Sequence, residues 1–171
     1  MTERIAIIGG GIIGVALARA LAQRQTGEVT LFEKEDRLAE HQTGHNSGVV
    51  HAGLYYAEGS LKARLCAAGR VAIKEFCLEK SLPYRELGKL VVALDDSELT
   101  ALADIEKRSR ANGVPGLVRI EDSARLREIE PHVAGVAALH SPHTAVVDYA
   151  AITAAMAQDV RASGGTIPWG Q

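Results

Sequence analysis

Three glycines in the run Gly9-Gly10-Gly11-Ile12-Ile13-Gly14 have the G-x-G-x-x-G spacing of a turn that can hold a pyrophosphate. Each has its own reason to lack a side chain. Gly9 permits the tight turn, Gly11 lets the main chain touch a diphosphate, and Gly14 lets a helix lie close on a strand. Such a site also needs a carboxylate at the end of the following strand, and Glu33 stands nineteen residues after Gly14, where it can accept both ribose hydroxyls. Its charge would repel a 2′-phosphate, which disfavours NADP. The spacing points to a dinucleotide and leaves FAD and NAD both open.

For that chemistry to work the glycines must join a strand to a helix, and the flanking residues meet the requirement. Residues 4–8 are apolar and β-branched and read as a buried strand; an Ala- and Leu-rich helix runs from Ile12 to about Arg24, and Gly27 ends it. Glu28 to Glu33 reads as a second strand, so the chain opens as strand, helix, strand with a parallel sheet. The helix would aim its first N–H groups and the positive end of its dipole at the phosphates.

Residues 36–58 are polar, rich in His and Asn, and have no regular period; loops of that length are usually functional. A nicotinamide-dependent dehydrogenase would instead need further strand–helix units soon after Glu33. From Ser60 the pattern is helical, with Leu61, Leu65, Ala68, Ala72 and Phe76 at three- and four-residue steps, and the apolar stripe predicts packing on the sheet; Pro83 closes the segment. Lys89 to Leu94 reads as a strand. Asp95 and Glu98 form a capping box for a helix reaching Asn112-Gly113. Leu117 to Ile120 and Val136 to His140 read as strands of one small sheet, separated by a short helix over Ser123 to Ile129. Asp148 caps a last helix through Ala162, Gly164-Gly165 stops it, and Thr166 to Trp169 begins another strand.

The bulk composition excludes several classes. A chain of 171 residues with 47% hydrophobic and 23% charged residues suits one globular domain, or one carrying a small insertion. A net charge of −2 with interspersed signs argues against a nucleic-acid partner. No apolar run reaches ~18 residues, so no transmembrane segment is expected. The apolar start from Ile5 is not read as a secretion signal, because Glu3 spoils the basic region and the glycines interrupt the run. Cys66 and Cys77 lie eleven residues apart on one helix, roughly 16 Å at ~1.5 Å per residue, and cannot pair with each other. So few cysteines fit a reducing cytoplasm, with peripheral attachment to the inner membrane as a variant. His132, His140 and His143 have no metal-site spacing, and no metal is assigned.

The segment Thr43-Gly44-His45-Asn46-Ser47-Gly48-Val49-Val50-His51-Ala52-Gly53-Leu54-Tyr55-Tyr56 resembles the loop of D-amino-acid-oxidase-like flavoproteins that runs along the FAD pyrophosphate. With Ser60-Leu61-Lys62-Ala63-Arg64-Leu65-Cys66, Gly88-Lys89-Leu90-Val91-Val92-Ala93 and Val147-Asp148-Tyr149, the resemblance is to the L-2-hydroxyglutarate oxidase or dehydrogenase branch, over nearly the whole chain. The resemblance implies an α/β fold, with an FAD-binding Rossmann βαβ unit over 1–83 and 146–171 and a small inserted α+β substrate lobe over 84–145. It also implies that Gly9, Gly11, Ile13, Gly14, Glu33, Lys34, Thr43, His45, Asn46 and Ser47 line the FAD, and that His51 lies beside the flavin as the catalytic group that orients substrate or moves a proton.

The activity implied is oxidation of a small 2-hydroxy acid, acting on its CH–OH group, with hydride passing to flavin. The alternatives are an amine or amino-acid oxidase relative, and a non-catalytic nucleotide-binding fragment. Tyr55, Tyr56, Lys62, Arg64 and Lys89 are candidates for gripping a dicarboxylate, which needs both anionic ends neutralised. Members of the family run to more than double this length. The C-terminal half of the family fold is therefore expected to be missing, with an exposed sheet edge that a homo-oligomer would bury.

Overall fold

The computed structural model describes residues 3–168 and 170. In chain order it contains β1 (Arg4–Ile8), α1 (Ile12–Gln23), β2 (Glu28–Phe32), β3 (Val49–Val50), α2 (Leu61–Glu79), β4 (Tyr84–Glu86), β5 (Lys89–Ala93), α3 (Leu99–Ala111), β6 (Val118–Ile120), α4 (Ser123–Ile129), β7 (Ala137–Ser141), β8 (Ala145–Val147) and α5 (Tyr149–Ala162). These elements divide into two compact units. The described residues up to Gly48, with Glu79–Pro83 and those from Asp148 onward, make the first; Val49–Leu78 and Tyr84–Val147 make the second.

In the first unit β1 and β2 pair in parallel, in register from Arg4 opposite Glu28 to Ile8 opposite Phe32. A parallel pair needs a crossover, and α1 supplies it. Val15, Ala18 and Ala22 recur on one helical face, and that face is buried with Ile7, Val29 and Leu31 of the strands and Ala157 and Val160 of α5. Small residues on both helices let α1 and α5 pack closely, and Asp159 of α5 accepts from Arg19 of α1 at 2.7 Å and from Lys80 at 2.6 Å. Asp148 caps α5 as expected, accepting from the N–H groups of Ala150 and Ala151. Beyond Gly164-Gly165 the chain returns to the sheet. Thr166 forms a parallel bridge with Thr30, its N–H donating to Val29 O and its carbonyl accepting from Leu31 N–H. Of the strand expected over Thr166 to Trp169, Trp169 lies outside the described residues.

The second unit holds two antiparallel sheets. One has the order β5-β7-β6 and joins the segments predicted to share a small sheet. Its residues alternate between faces, as a period of two demands. Val91, Ala93 and Leu139 face a cluster with Leu102 of α3, whereas Leu90, Val92 and Ala138 face one with Leu126 of α4. With a helix on each face, β5 can be apolar at successive positions. The other sheet, β3-β8-β4, was not foreseen. Its strands are two or three residues long, too short to show a period.

Two expectations change. Helix α2 does not pack its apolar stripe on a sheet: Leu61 and Leu65 are each 62% exposed and Ala68 and Ala72 are exposed, while Ala63, Phe76 and Cys77 are the buried positions. Spacing defines an amphipathic face but not what covers it. The substrate lobe was drawn as 84–145; the compact unit holding those residues also takes in Val49–Leu78, because β3 pairs with β8 and Ala52 and Leu54 enter the α3 cluster.

Candidate functional site

The β1–α1 turn lies at the C-terminal ends of both parallel strands, the edge at which open α/β sheets bind ligands. Gly9 has φ +105°, a conformation that L side chains rarely adopt, and its N–H donates to Phe32 O at 2.8 Å. A Cβ on Gly14 would fall far inside 3.0 Å of the Gly9 carbonyl oxygen, so this glycine lets the helix seat against the turn. Gly11 is open on its free side: a Cβ there would meet only the Thr43 hydroxyl, at 3.3 Å. The bare main chain of Gly9 and Gly11 thus forms a cradle that a side chain would fill.

Gly11 is also the N-cap of α1 and has no side chain to cap it. That task passes to Thr43, whose Oγ1 accepts from the Ile12 N–H at 3.0 Å. The remaining early N–H groups of a helix have no intrahelical partner and favour an anion.

Glu33 is 6% exposed. Its Oε2 accepts from Gly10 N–H at 2.5 Å and its Oε1 from Glu35 N–H at 3.0 Å. The amide bonds, first that of Glu35 and then that of Gly10, hold the carboxyl below its ordinary value against the opposing effect of burial. The ionised group therefore stands fixed at the end of β2. Each carboxylate oxygen keeps a second lone pair for a ribose hydroxyl.

Two adjoining hollows meet at Gly11, Glu33 and His41. One, of about 530 Å³, is walled by Ile8, Gly9, Phe32 and Lys34, and the other, of about 430 Å³, by Ile12, Ile13 and Thr43. Ile8 and Ile13 are 81% and 82% exposed, apolar side chains left at the mouth of a polar turn. The first hollow has an apolar wall beside the Glu33 carboxylate, able to take a planar ring, and the second opens onto the α1 N-terminus, which favours an anion.

The structure thus brings Gly9, Gly11, Ile13, Glu33, Lys34 and Thr43 to the walls of one crevice, while Gly14 lies behind the turn against Gly9 and Ile7. His45, Asn46 and Ser47 lie on the same loop and are exposed, and the first two turn their side chains back on it. His45 Nδ1 engages His41 O at 2.9 Å, and Asn46 donates to Thr43 O at 2.6 Å while accepting from Gly48 N–H at 2.7 Å. They shape the turn that presents Thr43.

His51 belongs to the second unit. It is exposed, and its carbonyl accepts the Cys66 thiol at 3.1 Å. Tyr55, Tyr56 and Lys89 lie around the same small notch as His51, whereas Arg64 is exposed on α2.

Two residues of the crevice were missed. Gly10, an unconstrained position of the motif, has no room for a Cβ, which would press on Leu38 and come within 2.8 Å of Glu33 Oε2. His41 lines both hollows and is tied through Nε2 to Glu35 Oε1 at 2.9 Å; its only signal was a histidine within the polar loop.

Comparison with known proteins agrees with this geometry. The family described as FAD dependent oxidoreductase matches residues 4–170. The chain is 44% identical over 164 residues to the mitochondrial L-2-hydroxyglutarate dehydrogenase of Nematostella vectensis, and 43% identical over 164 residues to that of Homo sapiens. Each match takes in 95% of this chain, but 36% and 35% of the relatives, so the chain spans little more than a third of their length. Among solved structures, dithionite-reduced L-alpha-glycerophosphate oxidase from Mycoplasma pneumoniae with FAD bound superposes with a TM-score of 0.85 at 26% identity, covering 98% of this chain and 45% of that one. Glycine oxidase from Geobacillus kaustophilus shares the fold at a TM-score of 0.82 and 24% identity, covering 98% and 47%. Among the described residues no helix is long and apolar enough to cross a membrane. The relatives' names place them in mitochondria and lend no support to the cytoplasmic expectation.

Proposed function

Because the chain belongs to the FAD dependent oxidoreductase family, we propose that it forms the nucleotide-binding part of a flavoenzyme that oxidises L-2-hydroxyglutarate or a closely similar 2-hydroxy acid. The observation behind this reading is the crevice at the β1–α1 turn, where a bare glycine cradle, a helix N-terminus and a fixed ionised Glu33 converge. In the reading, Gly9, Gly11, Ile13 and Thr43 surround the diphosphate of FAD with Gly14 behind the turn, Glu33 accepts the ribose hydroxyls, and Lys34 and the apolar wall of Ile8 and Phe32 flank the adenosine. His45 and Asn46 contribute through the turn that they stabilise, and Ser47 follows them on the same loop.

When bound, FAD supplies the acceptor for the two electrons that leave the alcohol carbon. The chain's own contribution is to bind and orient, and His51 is assigned to accept the proton of the substrate hydroxyl, a role open to an exposed imidazole. The two free thiols suit a reducing compartment, cytoplasmic or mitochondrial. Self-association is part of the same reading, since Leu61 and Leu65 of α2 offer an apolar stripe that a second copy would cover; a monomer in light scattering counts against it.

Titration of the purified chain with FAD, followed by flavin fluorescence and absorbance, tests the binding. A saturable change is expected, and Glu33→Gln should weaken it. Loss of the oxidised flavin bands on adding L-2-hydroxyglutarate tests the chemistry. A chain that leaves the FAD signals unaltered removes the reading.

A further inference from the structure

The second unit contains a charged notch that the crevice does not use. The segment from His51 to Tyr56 and the start of β5 enclose a space of about 10 Å³, room for one water-sized oxygen. Its polar lining comes from His51, Tyr55, Tyr56, Lys89 and Thr144. The Lys89 ammonium sits 4.8 Å from the centroid of the Tyr55 ring, and Lys62 stands 4.8 Å from that of Tyr56.

Among the described residues these two lysines, like Lys107, have no anionic partner. Lys34, Lys74 and Lys80 each pair with carboxylates, whereas among the described residues neither Lys62 nor Lys89 lies in an ion pair. The neighbouring acidic protons do not compensate. Burial pushes the Tyr56 phenol and the Cys66 thiol up, so both stay neutral at neutral pH. The notch therefore has one cation in its lining, Lys89, with two phenol rings, an imidazole and no carboxylate, and Lys62 stands over the ring of one of those phenols.

Position is fixed by the fold. Lys89 is the first residue of β5, paired with Ser141 of β7, and the Gly88 N–H before it donates to Thr144 O at 3.0 Å. A cation held over a ring by paired backbone is preorganised, and an entering oxyanion gains charge-assisted hydrogen bonds.

We propose that this notch is a carboxylate-binding site in which the Lys89 ammonium, with the positive charge of Lys62 beside it, receives one carboxylate of a small dicarboxylate. The space for a single oxygen suits the edge of a planar carboxylate. A phosphate would present three anionic oxygens to a lining that holds neither an arginine nor a helix N-terminus. Identifying the guest as the second carboxylate of the substrate rests on the function proposed above; anion binding at the notch does not.

The test uses glutarate, which has two carboxylates and no hydroxyl to oxidise, with inorganic phosphate as the comparison. Backbone amide chemical shifts and calorimetry follow the titration of the wild type, Lys89→Met and Lys89→Arg. Glutarate should shift amides in 51–56 and 88–90, and Lys89→Met should weaken it by at least about tenfold, with Lys89→Arg restoring most of the loss. Phosphate should leave those amides unmoved. Unchanged glutarate affinity in Lys89→Met, wild-type shifts elsewhere or none, or equal binding of phosphate overturns the proposal. FAD titration of the same samples separates the two readings. Flavin binding without a glutarate response removes the notch alone, and a glutarate response without flavin binding removes the proposed function alone.

Discussion

Replacing Glu33 by glutamine keeps the volume of the side chain and removes its charge, at a residue whose two oxygens each hold a main-chain N–H. The wild-type carboxylate accepts from Gly10 at 2.5 Å and from Glu35 at 3.0 Å while only 6% exposed. Glutamine offers one carbonyl oxygen. Its NH2 must face the other amide, which leaves a largely buried donor opposite a donor. Hydrogen bonds to a charged group contribute about 1.5–3 kcal/mol each and neutral ones about 0.5–1.5. Losing one and weakening the other should therefore cost roughly 2–4 kcal/mol.

The cost should also depend on pH. Because the folded-state pKa of Glu33 is lowered, its contribution is complete above the unfolded value of ~4.3 and is lost as pH falls through the folded value. Urea unfolding followed by circular dichroism at pH 7 and at steps toward pH 3 measures both effects. The gap between wild type and Glu33→Gln should be wide at pH 7 and close on acidification. A gap below about 0.5 kcal/mol at pH 7, or one that does not change with pH, refutes the assignment of those two bonds.

Gly14→Ala puts a methyl group into the Gly9 carbonyl, a main-chain atom that cannot step aside. It should cost ~3 kcal/mol, seen as a fall in Tm of roughly 6–12 °C, and an unshifted melt contradicts it. Thr43→Val removes the hydroxyl that caps Ile12 and should lose about 1 kcal/mol of stability together with FAD affinity. Thr43→Ser should recover both, and equal behaviour of the two variants sinks the capping argument. His51→Ala should slow flavin reduction by L-2-hydroxyglutarate by at least ~100-fold, and an unaltered single-turnover rate excludes proton transfer through this residue.

The turn was legible because its requirements are local. Gly9, Gly11 and Gly14 are constrained by backbone angles and approach distances within one strand and one helix, and Glu33 by the length of the next strand. Caps were legible for the same reason: Asp95 accepts from Ser97 N–H, and Glu98 reaches back, here to the Leu94 N–H. Long-range pairing left less trace. The sheet β3-β8-β4 brings Val49 beside Val146 and Tyr84 beside Val147, partners too far apart in the chain for a local pattern to reveal. The stripe on α2 misled because three- and four-residue spacing reports a helix face whatever lies against it, and Leu61 and Leu65 stay exposed among the described residues. Gly10 escaped notice because its constraint comes from Leu38 and Glu33, outside the motif.

That last constraint shows how the crevice is assembled. A glycine at the N-cap leaves the first amide of α1 without a local acceptor, and the same bareness exposes the main chain to a phosphate. A side chain at that position would cap the helix and occupy the cradle together. The fold separates the two tasks by taking the cap from Thr43, thirty-one residues ahead of Ile12. Thr43 is in turn held by the loop that Asn46 closes through the Thr43 carbonyl, and Ala39 N–H donates to Gly10 O within the same loop. The turn and the loop must therefore become ordered as one element, since each satisfies the other's polar groups. The part of the polar run over 39–48 stays structured without helix or strand because its hydrogen bonds go to the β1–α1 turn and to itself, and FAD binding to that turn should protect the amides of 39–48 from hydrogen exchange along with those of 9–14.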